Sequence, residues 1–265
     1  MYTFNYQRAA SVKAAVQALR DHPDAKLLAG GMTLLPTLKL RLAQPSDLID
    51  LGGIAELKAI KRDAKTLEIG AMVTHAEVAG SADVRGAIAA LSVLAGHIGD
   101  AQVRNRGTIG GSVSNSDPAA DYPAALLGLG ATVHTDRRSI AADDFFTGMF
   151  ETALEPAEIV TRVSFPIPEK AGYAKFPNPA SRYAVVGVMV AKTKQGIRVA
   201  VTGAGPSVFR VGEMEAALTR SFTPAALDGI TVPADDLNDD LHASAAYRAH
   251  LVGVMAKRAT AAAIA

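Results

Sequence analysis

The chain contains no cysteine among its 265 residues. Disulfide bonds, zinc sites with thiolate ligands and iron–sulfur clusters bound by this chain are therefore excluded. If the protein transfers electrons, either its own cofactor is organic or the metal centres lie on other subunits.

An excess of charge of one sign and a long apolar run are also lacking. Lys and Arg number 27 against 26 Asp and Glu, so the sequence predicts no nucleic-acid partner. No stretch has the apolar length of a membrane-spanning helix, and residues 1–10 contain neither a cationic stretch nor an apolar segment. These features predict a cytoplasmic protein that is not integral to a membrane.

The usual catalytic and nucleotide-binding motifs are missing as well. The histidines show no zinc-ligand spacing, and there is no Gly-x-Ser-x-Gly elbow and no Walker lysine. The nearest approach to Gly-x-Gly-x-x-Gly, Gly203 to Val208, lacks the third glycine and contains a proline, so we interpret it as a structural turn. A chain without an obvious acid, base or nucleophile fits a protein that holds a cofactor, and the cofactor then carries the chemistry.

What the chain does have is 49% apolar residues, enough to bury the core of one large domain or two smaller ones. Apolar periodicity predicts helices over Val12 to Asp21 with Ser11 as N-cap, over Leu34 to Leu42, over Val84 to Ile98, and at the C-terminus with Tyr247, Leu251, Val254 and Arg258 on one face. Predicted strands are Lys26 to Ala29, Leu48 to Leu51, Thr66 to Val73, Ala131 to Thr135, Ile159 to Phe165, and a hairpin of Val185 to Lys192 with Ile197 to Thr202. Gly99 to Pro123 is predicted to be a long polar loop.

A glycine pair between a predicted strand and a predicted helix is the first candidate binding segment. In Leu27-Leu28-Ala29-Gly30-Gly31-Met32-Thr33-Leu34 the two glycines allow consecutive backbone N–H groups to point into one concavity, which suits a phosphate. The alternative is that the pair only makes a tight turn.

The second candidate runs from Arg104 to Asp117 and is made almost entirely of glycines, hydroxyls and amides. Such small residues let a ligand approach the backbone, while Thr108, Ser112 and Asn115 supply hydrogen bonds. The following Asp121 is either an acceptor for a ribose or adenine donor or the N-cap of the next helix, and the sequence leaves both open.

These two segments resemble one known family. Ala29 to Pro36 is similar to the Ala-Gly-Gly-Gln/His-Ser-Leu-Leu-Pro segment of the flavoprotein (medium) subunits of molybdenum hydroxylases, the xanthine dehydrogenase and carbon monoxide dehydrogenase superfamily. Arg104 to Ser112, followed by Asp117 to Asp121, is similar to their second FAD segment. The resemblance extends over essentially the whole chain, and Lys175 to Val190 looks closest to the carbon monoxide dehydrogenase branch.

The resemblance implies FAD as the cofactor of this chain. Leu27 to Leu34 and Thr108 to Ser112 would surround its pyrophosphate, Asp121 would lie on the adenosine side, and Tyr183 would approach the isoalloxazine ring. The implied cofactor-binding residues are Leu27, Leu28, Ala29, Gly30, Gly31, Met32, Thr33, Leu34, Ile98, Thr108, Ile109, Gly110, Gly111, Ser112, Asn115, Asp117, Asp121, Val160, Lys175 and Tyr183. No catalytic side chain and no metal ligand is implied.

Two local consequences follow from these motifs. The family has Gln or His and then Ser where this chain has Met32-Thr33, so Thr33 keeps the hydroxyl, whereas Met32 cannot make a side-chain hydrogen bond. A Leu at Gly30 or Gly110 is expected to abolish FAD retention, because its side chain would occupy the space of the pyrophosphate.

The implied fold is α+β. Residues 1–170 would form a PCMH-type FAD-binding domain of two α/β subdomains (1–55 and 56–170), and residues 171–265 a C-terminal domain with a small antiparallel sheet and helices. The implied partners are a large subunit with the molybdenum cofactor and a small subunit with two [2Fe–2S] clusters, in a dimer of heterotrimers.

The implied function is that of an oxidoreductase subunit, which passes electrons from those clusters through FAD to an external acceptor. Two alternatives remain at this stage. One is a stand-alone flavin reductase of the same general fold, such as the enolpyruvyl-sugar reductase of cell-wall synthesis, and the other is a flavin-free scaffold subunit.

Overall fold

The computed structural model describes all 265 residues. The strands are β1 (Asn5–Arg8), β2 (Lys26–Leu28), β3 (Asp47–Asp50), β4 (Ile60–Arg62), β5 (Thr66–Gly70), β6 (Thr132–Thr135), β7 (Ser139–Ala141), β8 (Phe146–Gly148), β9 (Glu151–Thr152), β10 (Val160–Pro166), β11 (Lys170–Pro177), β12 (Ala184–Thr193), β13 (Gly196–Thr202) and β14 (Phe209–Arg210). The helices are α1 (Val12–Asp21), α2 (Leu34–Lys39), α3 (His75–Gly80), α4 (Ala82–Ala87), α5 (Ala89–Gly96), α6 (Ala101–Arg106), α7 (Ile109–Asn115), α8 (Tyr122–Leu129), α9 (Ala142–Phe145), α10 (Gly212–Arg220) and α11 (Ala245–Ile264), with 3-10 turns at Ala55–Lys58 and Pro224–Leu227.

The N-terminal part is a three-stranded parallel sheet in which β3 lies between β1 and β2. Helix α1 connects β1 to β2, and it begins where the Ser11 hydroxyl accepts a hydrogen bond from the Ala14 N–H. Its apolar positions Ala15 and Val16 pack on Ile49 of the central strand. The predicted helix and strands of this region are confirmed because their signals are local.

The middle part is a five-stranded antiparallel sheet in the order β4-β5-β10-β6-β7. Strand β10 is central, with Val163 opposite Ile69 on one side and Val133 on the other. These side chains form one core with Leu91 and Leu94 of α5. The helices therefore cover one face of the sheet.

The C-terminal sheet, in the order β11-β12-β13-β14, is covered on both faces. Val188 of β12 packs with Leu251 and Met255 of α11, while its neighbour Met189 belongs to the core that contains α5 and α8. Because side chains alternate along a strand, a strand covered on both faces is apolar throughout. This explains the continuous apolar run of the correctly predicted hairpin, and it confirms the α+β class.

Two predictions around the second glycine segment are wrong. The single helix over Val84 to Ile98 is two helices, α4 and α5, because Ile88 has φ −144° and ψ 81° at their junction. The predicted loop from Gly99 to Pro123 contains α6, α7 and the start of α8. Asp100 and Thr108 cap α6 and α7 by accepting from backbone N–H groups, so these short helices form despite their small residues.

The predicted C-terminal helix is confirmed as α11, but of the four residues predicted to share one of its faces only Leu251 is buried. Tyr247 is 44% exposed, while Arg248, one position later, is 4% exposed. The Arg248 guanidinium donates to the carbonyl oxygens of Val185 (2.8 Å) and Gly203 (2.9 Å) and to the Asp240 carboxylate (2.7 Å). Hydrogen bonds of this kind make it possible to bury a cation, and the Gly203 contact fits the structural turn expected there.

No helix of the structure combines the length and the apolar character required to cross a membrane.

Candidate functional site

A cavity of about 690 Å³ lies where the N-terminal sheet, the short helices and the C-terminal sheet meet. Both glycine segments line it, together with the turn at residues 181–183, and we call it the central cavity. Of the residues predicted to bind cofactor, all line it except Leu28, Ile109 and Lys175. Its size is within the range of small-molecule and cofactor sites.

The first glycine segment presents unpaired backbone donors. The N–H groups from Ala29 to Leu34 all lack an acceptor within the chain. Gly31 has φ +75°, a left-handed conformation that glycine adopts without strain, and it reverses the chain between β2 and α2. Consecutive free N–H groups around such a turn form a concavity that binds anions.

The second glycine segment differs from the prediction in how its backbone is used. The N–H groups of Ile109 and Gly110 donate to the carbonyl oxygens of Val73 and Ala71, and the N–H of Gly111 donates to the Thr108 hydroxyl at 3.2 Å. These amides are therefore not available to a pyrophosphate. What the segment offers instead is polar side chains at the cavity wall, among them Ser112 and Asn115.

Gly30 brings the two segments into contact, and this changes the physical reason for the effect expected of a Leu at Gly30 or Gly110. A Cβ atom on Gly30 would overlap the carbonyl oxygen of Arg106, and one on Gly110 would lie 2.5 Å from the Ala71 Cβ. A side chain at either position would therefore collide first with the protein itself, at the Arg106 backbone or at Ala71. Ile109 is fully buried in the core, which is why it does not line the cavity.

The Asp121 carboxylate is neither a helix cap nor a free acceptor. It makes no capping hydrogen bond to α8. Its oxygens accept from the Tyr173 hydroxyl at 2.5 Å and from the Lys175 ammonium at 2.9 Å. Burial raises the pKa of Asp121, and the positive charge of Lys175 opposes that rise. Lys175 therefore belongs to the site through its contact with Asp121 on the cavity wall, and it does not line the cavity itself.

The C-terminal sheet holds the segment before Asp121 through its backbone. The Thr202 hydroxyl donates to the carbonyl oxygens of Pro118 (2.9 Å) and Ala120 (2.6 Å). The Ala184 N–H donates to the carbonyl oxygen of Ala119 at 3.2 Å. These contacts join residues that are far apart in the chain, and they place Asp117 and Asp121 on the cavity wall.

The turn between β11 and β12 forms one edge of the cavity. Tyr183 lines the cavity and is 44% exposed, and burial of its hydroxyl raises its pKa. Arg182, with φ +62°, donates to the Gly99 carbonyl oxygen at 3.3 Å. Arg104 donates to the same oxygen at 2.8 Å, so two cations from different parts of the chain hold Gly99 beside the cavity.

Sequence reasoning missed several residues of the cavity wall, chiefly His75, Glu158 and Arg182, and it included Gly107 and Ser114 only as members of the second glycine segment. A local signal existed for His75, because Thr74 and Glu77 form a capping box that predicts the start of α3 there. No local signal marks Arg182, whose contact with Gly99 depends on the packing of the C-terminal sheet.

A second cleft, of about 810 Å³, lies between α1 and the five-stranded sheet. Neither glycine segment lines it, and its charged residues include the ion pair of Arg162 with Glu68. It has no counterpart of the free N–H groups from Ala29 to Leu34, so the central cavity is the candidate cofactor site.

Comparison with known proteins gives concordant matches. Residues 2–168 match the family described as the FAD binding domain in molybdopterin dehydrogenase. The chain is 35% identical to the nicotine 6-hydroxylase medium subunit of Paenarthrobacter nicotinovorans over 96% of this chain and 94% of that one. It is 36% identical to the carbon monoxide dehydrogenase medium chain of Hydrogenophaga pseudoflava over 97% and 95%. Among solved structures, reconstituted CO dehydrogenase from Oligotropha carboxidovorans matches with a TM-score of 0.91 and 31% identity, over 99% of this chain and 98% of that one.

Proposed function

The chain belongs to the family of FAD-binding domains of molybdopterin dehydrogenases, and on that premise we propose that it is the FAD-carrying electron-transfer subunit of a molybdenum hydroxylase. It is an oxidoreductase component that binds FAD in the central cavity. Electrons reach it from [2Fe–2S] clusters on a small partner subunit and leave to an external acceptor. The observation that carries this proposal is the run of free N–H groups from Ala29 to Leu34 at the cavity wall.

The residues present fit a dinucleotide. Unpaired backbone donors at the first segment match a pyrophosphate, and Ser112, Asn115 and Thr33 add polar side chains at the wall. Met32 contributes only its backbone N–H to this arrangement. The family contains Gln or His at that position, but the free amides do not depend on the side chain.

FAD, when bound, supplies the redox chemistry that no side chain of this protein can supply. The protein itself binds the cofactor and orients it. The first segment holds an anionic group, and the Gly30 contact with Arg106 fixes the spacing of the two segments. The turn with Arg182 and Tyr183 forms one edge of the cavity.

We propose the same partners as the sequence suggested: a large subunit with the molybdenum cofactor and a small subunit with two [2Fe–2S] clusters, in a dimer of heterotrimers. Support comes from relatives that are named medium subunits or medium chains and that align with this chain over nearly their whole length. The absence of cysteine fits this division of cofactors, since this chain cannot ligate a cluster. The cytoplasmic location likewise stays a proposal, which cell fractionation would test.

We propose the domain division 1–170 and 171–265, with a subdomain boundary near residue 55. The three larger sheets support it, because their strands lie within 5–50, 60–166 and 170–210, and the two-stranded sheet of β8 and β9 lies within the second of these ranges. The family match that ends at residue 168 also supports it. Limited proteolysis followed by mass determination of the fragments would test the division.

The experiment that tests the function is purification of the protein from its native host, followed by an absorption spectrum and identification of the accompanying subunits. We expect a flavin spectrum, FAD in the denatured extract, and partners that bring iron, sulfide and molybdenum. A flavin-containing chain that purifies alone and oxidises a nicotinamide would instead support a stand-alone reductase. A colourless chain that does not take up FAD would support the scaffold alternative.

A further inference from the structure

His75 is a buried side chain at the wall of the central cavity with no hydrogen-bond partner. The residue is 5% exposed, and its Nδ1 is enclosed and unpaired. Its backbone N–H donates to the Gly107 carbonyl oxygen at 2.9 Å, so the backbone holds it against the second glycine segment. Buried polar side chains are almost always paired. Because Nδ1 is enclosed, no ligand reaches it, and Nε2 is the nitrogen that remains for a partner from outside this chain.

The Nε2 atom is the ring nitrogen next to the two glycine segments. A Cβ atom on Gly107 would lie 2.6 Å from Nε2, so this nitrogen lies directly over the Gly107 backbone. Gly107 in turn contacts Gly30, because a Cβ on Gly30 would lie 2.8 Å from the Gly107 Cα. Gly107 is therefore in contact with both His75 and Gly30, which places Nε2 one residue away from the junction of the two segments.

The surroundings of the ring keep it neutral. Burial lowers the pKa of His75 to about 4, and the positive charge of Arg104 lowers it further in the same direction. A second neighbouring titratable group is Tyr122, whose ring centroid is 5.3 Å from that of His75. A neutral imidazole has one N–H and one acceptor nitrogen. A proton on Nε2 makes it a donor near the junction without adding a charge that needs a counter-ion.

We propose that His75 Nε2 donates a hydrogen bond to a phosphate oxygen of bound FAD and so acts as a positioning residue for the dinucleotide. The inference rests on the proposed function, since it takes FAD as the ligand. The first segment supplies backbone donors from one side, and His75 supplies a side-chain donor from the side of α3 and the second segment.

The test compares three variants of the full chain, freed of FAD and titrated with FAD and with ADP, which carries the diphosphate without the flavin. His75→Leu removes the donor at similar volume, and His75→Gln keeps an N–H donor on a side chain of similar reach. His250→Leu is the matched control, because His250 is exposed on α11 and does not line the cavity. We expect His75→Leu to weaken binding of both ligands about tenfold, His75→Gln to recover binding to within about threefold, and His250→Leu to change nothing.

Any one of the following outcomes would overturn the proposal. Equal weakening in His75→Leu and His75→Gln would mean that the ring acts only through its shape. Weakening for FAD but not for ADP would mean that the contact is not with the diphosphate. In the wild type, ¹⁵N spectra of labelled histidine with ADP bound would contradict the proposal if the His75 proton were on Nδ1. If the wild-type chain binds no FAD, the proposed function is contradicted as well. If the wild type binds FAD and His75→Leu binds it equally tightly, only the role of His75 is contradicted.

Discussion

The Lys175 ammonium lies 2.9 Å from a carboxylate oxygen of Asp121, and both side chains are almost completely buried. Asp121 precedes α8 at the cavity wall, and Lys175 is on β11 of the C-terminal sheet. The pair has the additional hydrogen bonds that a buried ion pair needs, from the Tyr173 hydroxyl to Asp121 and from Lys175 to the His97 carbonyl oxygen at 3.1 Å. It therefore joins the C-terminal sheet to the wall of the central cavity.

Replacing Lys175 by Met is expected to lower the free energy of unfolding by about 3–5 kcal/mol, because it leaves the Asp121 carboxylate buried without its counter-ion. Urea denaturation of the FAD-free chain measures this loss. The double variant Lys175→Met with Asp121→Asn should regain much of it, since no charge is then buried.

The matched control for this variant is Lys192→Met. Lys192 pairs with Glu169 at 2.8 Å, but both side chains are about half exposed, so the expected loss is under about 1 kcal/mol. Equal losses in the two single variants would contradict the importance of burial at Lys175.

Gly30→Ala is expected to weaken FAD binding by about tenfold or more, because the new Cβ would overlap the Arg106 carbonyl oxygen and push the two glycine segments apart. Fluorescence titration of the apoprotein measures this change. Gly80→Ala is the control, since nothing lies within 4 Å of a Cβ at that position. Unchanged FAD affinity in Gly30→Ala would show that the spacing of the segments is not critical.

Arg182→Ala is expected to increase the rate of FAD release severalfold, because it removes the contact of the β11–β12 turn with Gly99 at the cavity edge. The rate is followed by capture of released FAD with an excess of another apoflavoprotein. Arg220→Ala, in the last turn of α10, is the control. A release rate equal to that of the wild type would mean that the turn does not limit the exit of FAD.

The stability of the FAD-free chain should depend on pH through His75. The pKa of His75 is about 4 in the folded protein and 6.5 for an ordinary histidine, so the unfolded chain holds a proton between these values that the folded protein does not. Its contribution to stability is present above pH 6.5 and is lost as the pH falls towards 4, by about 3 kcal/mol in total. Unfolding curves at pH 7 and pH 4.5 measure the loss.

His75→Gln should lack this part of the pH dependence, because glutamine does not titrate. The main cause of the low pKa is burial, with Arg104 second, so Arg104→Gln should raise the pKa of His75 only partly. A pH profile that is identical in wild type and His75→Gln would contradict the assignment to His75.

Local signals in the sequence predicted much of the fold. Ser11 before an apolar-periodic stretch predicted α1, and the β-branched runs around Thr193 to Gly196 predicted the hairpin of β12 and β13. Elements that form only through tertiary contacts could not be predicted from such local signals. The helices between Gly99 and Pro123 form because Asp100 and Thr108 cap them and because Ala71 and Val73 accept from α7, and small residues alone do not indicate this.

The sequence by itself determined which segments surround the cavity, since a glycine pair between a strand and a helix produces free N–H groups through local geometry alone. Only the tertiary structure decided how the other residues are used. Asp121 pairs with Lys175, fifty-four positions away, and Arg248 finds carbonyl oxygens on β12 and after β13. The physical reason is burial: a charge removed from water takes whichever partners the packed chain brings within hydrogen-bond distance, and no periodicity in the sequence encodes those distances.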